Sequence, residues 1–157
     1  MNTGREQQQV QRGQDTNEVA RRATGFGRLL VAVYGVFALS ATARAGYQIA
    51  TKFDEAPVAY LLSAFAAVVY ILATITLAKS GIRSYWLSVA AVGIELLGVV
   101  AVGLLSLLDP ELLPQDTVWS GFGKGYGYVP LLLPVVGLWW LWLHRPAAGQ
   151  KPAEDRP

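Results

Sequence analysis

Two ionisable residues interrupt long apolar runs, and they are the first candidates for chemistry: Arg44 and Glu95. An ionisable side chain at membrane depth is costly to keep there and by default marks a function such as an ion or proton path. Glu95 lies about ten residues into its run and Arg44 about seventeen into its own, a gap of ~10 Å along a membrane normal at the helical rise. An extended arginine and a glutamate can bridge that gap, so Arg44 and Glu95 form a candidate intramembrane pair. Tyr70, Thr74 and Thr76 are other available partners for Glu95. Two plainer readings stand beside the pair. Arg44 can snorkel to headgroups, and Glu95 can be a structural acid, protonated or hydrogen-bonded, that holds helices together. A proton relay needs several ionisable groups in sequence, and the apolar interior supplies one carboxylate.

Other chemistry is narrowed by composition. The chain has no cysteine, which excludes disulfides, thiolate metal sites and thiol redox steps. One histidine, His144, cannot make a bis-histidine haem within one chain and leaves a histidine metal site without support. No Ser–His–Asp constellation and no carboxylates paired at one depth can be assembled. The expectation is a protein that is not an enzyme and carries no cofactor or metal. A net charge of +2 gives no support to nucleic-acid binding.

A second group of residues suits contact with partners or lipid. Gly93, Gly98 and Gly103 are five apart and wind around one helix; Gly93 and Gly103 leave gaps where another helix can approach. Ser88, Ala91, Gly98 and Val102 share a face with Glu95 and should turn it into the bundle. The stretch Gly121-Phe122-Gly123-Lys124-Gly125-Tyr126-Gly127-Tyr128 alternates glycine with larger residues. It lacks the ending of a phosphate-binding loop. Its Phe122 and Tyr126, with Trp119 nearby, suit a membrane interface or a docking partner. Asp109-Pro110-Glu111 reads as the start of a short interfacial helix. Pro130 and Pro134 predict a kinked or weakened start to the last span.

The elements that must position these residues follow from where charge is missing. Hydrophobic residues make up 53% of the 157 and charged ones 15%, well below the ~25% of soluble domains. Apart from Arg28, Arg44 and Glu95, charge is absent from four blocks, giving spans at about 27–51, 56–78, 85–108 and 128–143, long enough in the first three cases to cross ~30 Å of hydrocarbon. The fourth covers only ~24 Å. Short connections make the first three spans antiparallel neighbours. Segments 1–26 and 145–157 are polar and predict disordered tails. Arg21, Arg22, Arg28, Lys79, Arg83, Arg145 and Lys151 fall on one side, against Lys52 and Lys124 on the other. That bias makes both termini cytoplasmic. The predicted fold is all-α, an antiparallel bundle of four transmembrane helices. A competing reading takes Ala43-Arg44-Ala45 before Gly46 as a signal-peptidase site, which would leave three spans.

Several phrases resemble a family of small four-span integral membrane proteins of actinobacteria. They are Ala43-Arg44-Ala45-Gly46, Phe53-Asp54-Glu55-Ala56-Pro57, Tyr60-Leu61-Leu62-Ser63-Ala64, Glu95-Leu96-Leu97-Gly98-Val99, Ser106-Leu107-Leu108-Asp109-Pro110-Glu111, Val118-Trp119-Ser120 and Gly125-Tyr126-Gly127-Tyr128-Val129-Pro130-Leu131. The resemblance covers about residues 30 to 142 and implies a bacterial inner membrane, with no activity attached. By analogy with small helical subunits of respiratory assemblies, the expectation is an accessory or scaffold subunit that contacts lipids and other membrane proteins. The alternative is a small transporter or lipid-binding protein using Arg44 and Glu95.

Overall fold

The computed structural model describes residues 3–146, without the side chains of Thr3 and 15–23. Four helices run through it: α1 Thr3–Lys52, α2 Pro57–Ala78, α3 Ile82–Leu108 and α4 Val129–Leu143. Short 3-10 segments at Phe53–Glu55 and Ser120–Tyr126 join them, and no strand occurs among the described residues. Three helical stretches are long and apolar enough to cross a membrane, and a fourth is added if the bent pair Ser120–Tyr126 and Val129–Leu143, at 101°, is one broken span. The three apolar windows are only 22%, 39% and 33% buried within the protein. Leu61, Phe65, Val68, Leu72, Leu97 and Leu107 all face outward. Apolar surface of this extent needs an apolar solvent, as a membrane protein's does.

The helices alternate in direction. Gly35 on α1 faces Thr74 late in α2, and the Ser84 hydroxyl at the start of α3 donates to the Thr76 carbonyl at the end of α2, at 2.7 Å. Gly81, at φ 115°, makes the sharp turn between them. The bundle closes where α4 returns to α1: a Cβ on Gly27 would lie 2.8 Å from the Trp140 ring, and one on Gly137 would lie 3.4 Å from the Tyr34 hydroxyl. Small residues at these crossings let the backbones approach. The face expected of α3 is the one that packs inward, with Ser88, Ala91, Glu95 and Val102 buried.

Two expectations meet a different structure. The polar segment 1–26, read as a disordered tail, is helical from Thr3 as the first half of α1. Residues 4–14 are exposed there. Burial does not hold them; they extend a helix already nucleated by the apolar half, and Gln, Arg and Glu are good helix formers with no proline among them. Asp109-Pro110-Glu111 does not start a helix. Asp109 closes α3, and its carboxylate accepts the Leu112 N–H at 3.2 Å in a turn. The predicted C-terminal tail 145–157 lies outside the described residues beyond 146.

Candidate functional site

A line of polar and aromatic contacts runs through the bundle from Glu95 to Arg44. At its lower end the Tyr34 hydroxyl donates to Glu95 Oε2 at 2.7 Å. Both residues are fully buried. The other carboxyl oxygen, Oε1, has no hydrogen-bond partner among the described residues. Tyr34 sits beside Tyr70 from α2, with ring centroids 6.3 Å apart. The Tyr70 hydroxyl accepts the indole N–H of Trp119 at 3.0 Å. Phe37 then packs between Tyr70 and Tyr126, at 5.5 and 6.0 Å. At the upper end Arg44 donates to the Tyr126 hydroxyl at 2.7 Å and to the Asp116 carbonyl at 2.8 Å.

Trp119 and Tyr126 belong to the connection between α3 and α4, so this loop folds into the bundle instead of lying over it. Its path is set locally. The Thr117 Oγ1 accepts N–H bonds from Trp119 and Ser120, both at 3.1 Å, while the Ser120 hydroxyl accepts the Thr117 N–H at 2.9 Å. The Ser106 hydroxyl on α3 accepts the Gly121 N–H at 2.8 Å. Gly121, Phe122 and Gly123 follow with φ of 54°, 59° and 80°, three left-handed residues in a row. Glycine takes that conformation freely, whereas Phe122 is strained by about 1–2 kcal/mol. Its ring compensates by covering Gly103, where a Cβ would stand 2.5 Å from the phenyl carbons. Trp119 covers Gly98 in the same manner, also at 2.5 Å. Two glycines of α3 are therefore slots for two aromatic rings of the loop.

This geometry redistributes the residues singled out in the sequence. Arg44 and Glu95 do not pair. α1 and α3 run in the same direction, and Tyr34 occupies the level of Glu95; Arg44, ten residues farther along α1, stands ~15 Å higher at the helical rise. The partner of Glu95 is Tyr34, and not Tyr70, Thr74 or Thr76. Thr74 and Thr76 instead bond back to the carbonyls of Tyr70 and Leu72, each at 2.7 Å. Gly103 and Trp119, read as contacts for partners or lipid, face the interior and are buried. Phe122 and Tyr126 are half-buried on Gly103 and Arg44. Gly93 alone of that group leaves open space around its Cα. Pro130 and Pro134 are fully buried, and α4 continues through them without a break.

The chain matches no protein-family model, no curated protein and no solved structure. No cluster of three or more His, Asp or Glu side chains that could hold a metal occurs among the described residues. These contacts tie the elements to one another. A buried carboxyl–phenol bond ties α1 to α3, an indole–phenol bond ties the loop to α2, and an arginine clamps the loop to α1. A solid centre of Tyr34, Tyr60, Tyr70, Glu95 and Trp119 fills the space between the helices.

Proposed function

We propose that the protein is a non-enzymatic accessory or scaffold subunit of a larger assembly in a bacterial inner membrane. It crosses four times with both termini in the cytoplasm, the bent pair that ends in α4 counting as the last span. The lysine and arginine bias supports this orientation. The observation that carries the role is α1, a single helix of 50 residues. At the helical rise it is ~75 Å long, more than twice the hydrocarbon thickness. Its N-terminal half thus stands beyond the bundle as an arm, with Glu6 and Val10 one turn apart on its exposed surface. A helix of that kind gains stability by packing on something else. The filled centre leaves no room for a wide permeation path, which weighs against transport through Arg44 and Glu95.

The open notch at Gly93 gives a second contact, where a helix of another membrane protein can approach closely. A respiratory complex of an actinobacterium is the assembly to test first, on the strength of the resemblance described above. Purification in mild detergent should yield stoichiometric companion subunits. Removal of residues 3–14, or Gly93→Leu, should release them while the isolated chain stays folded. Native-gel migration of the wild type alone, across several gentle detergents, would overturn the proposal.

A further inference from the structure

A groove of about 380 Å³ opens on the outer surface of the bundle between the first turns of α3 and the last turns of α4. Tyr85 and Val89 form one wall, and Leu138, Leu141 and Trp142 the other, with Arg145 at the mouth. The Arg145 guanidinium lies over the Trp142 ring, 5.7 Å from its centroid. Trp142 is itself 58% exposed, so the stacked pair faces outward, away from the core. None of these residues belongs to the buried line from Glu95 to Arg44.

We infer that this groove holds one anionic phospholipid, its acyl chain along Val89, Leu138 and Trp142 and its phosphate on Arg145. Three observations favour that occupant. The walls are apolar along their length and end in one cation, which is the order of parts along a phospholipid. The amphipathic rings of Tyr85 and Trp142 beside the cation suit the level of the headgroups. Arg28, Lys79 and Arg83 lie at the same end of the bundle, the end that faces the anionic cytoplasmic leaflet in the orientation proposed above.

The inference does not depend on the accessory role, and native mass spectrometry of the full chain in detergent separates the two. Phosphatidylglycerol and phosphatidylcholine with identical acyl chains are offered at equal concentration. The expected result is one retained phosphatidylglycerol, preferred about fivefold, the size expected of one basic residue against an anionic lipid. Arg145→Gln should abolish the preference. Leu138→Trp fills the groove and should lower retention of both lipids; Val89→Phe does the same from α3 should Leu138→Trp fail to fold by circular dichroism. Lys124→Gln, in the loop at the opposite end, should retain the wild-type preference. Equal retention of the two lipids by the wild type, or an Arg145→Gln variant that keeps the preference, overturns the inference. So does a dimer or a bound protein that disappears on filling the groove while lipid retention is unaltered.

Discussion

The indole nitrogen of Trp119 donates a 3.0 Å hydrogen bond to the hydroxyl of Tyr70, which fixes a loop residue at the centre of a helical bundle. Trp119 reaches that depth because Gly98 has no side chain to oppose it. Its ring also meets Phe65 edge-on at 6.1 Å. The loop is therefore part of the core, and its loss should be felt throughout the bundle.

Trp119→Ala is expected to cost about 3–5 kcal/mol, the range for emptying an aromatic site in a core. Tyr70→Phe leaves the indole N–H buried without a partner and should cost about 1–3 kcal/mol. Thermal unfolding in detergent measures both. A double-mutant cycle with Trp119→Phe and Tyr70→Phe should return a coupling of at least about 0.5 kcal/mol; strict additivity would reject the bond.

Glu95 should couple to Tyr34 and not to Arg44. Tyr34→Phe and Glu95→Ala are expected to be non-additive in the same unfolding assay, because each removes one partner of a single buried bond. Arg44→Ala and Glu95→Ala should add within about 0.5 kcal/mol, being well separated with no shared partner. Glu95→Gln alone should be mild, since it keeps shape and hydrogen bonding. Glu95→Lys puts a longer charged chain into the packed centre and should sharply reduce folded yield.

The three glycines of α3 should separate by what stands over them. Gly98→Ala and Gly103→Ala force the Trp119 and Phe122 rings away and should destabilise the isolated chain by about 1–3 kcal/mol. Gly93→Ala adds a methyl to open space and should be neutral or stabilising by about 1 kcal/mol, because alanine is the better helix former. Equal effects at all three positions would contradict the slots described for the loop rings.

Reporter fusions check the orientation. A fusion after Arg145 and one at Ser80 should report cytoplasm, and one at Gln115 the outer side, following the lysine and arginine bias. A C-terminal reporter outside would remove the four-span arrangement. An N-terminal sequence beginning at Gly46 would replace it with the cleaved form, although Ala45 is buried within an unbroken helix.

Much of the helical frame was legible because apolar runs and their lengths are local properties. The inward face of α3 was legible too, since Ser88, Ala91, Glu95 and Val102 repeat at helical spacing. The direction of each loop aromatic was not. Tryptophan and tyrosine favour membrane interfaces, and that preference assigned Trp119 and Tyr126 outward. The contrary signal was a relationship between distant positions, the missing side chain at Gly98 and the ring at Trp119, which no periodicity reports. The partner of Glu95 could have been found. Counting depth along two parallel spans puts Tyr34 about three residues from the level of Glu95 and Arg44 about seven. The N-terminal half of α1 was hidden for another reason: composition says whether a segment can bury a core, but not whether it continues a helix that its neighbours have already begun.

The unbroken course of α1 gives the arm a fixed azimuth relative to the bundle. Each residue of an α-helix turns the chain by ~100°, so one residue inserted between Gly13 and Thr24 would swing Val10 by ~100° while lengthening the arm by only ~1.5 Å. Seven inserted residues would lengthen it by ~10 Å yet return Val10 to within ~20° of its original bearing. A companion that grips the arm and the membrane bundle together must respond to that phase far more than to distance.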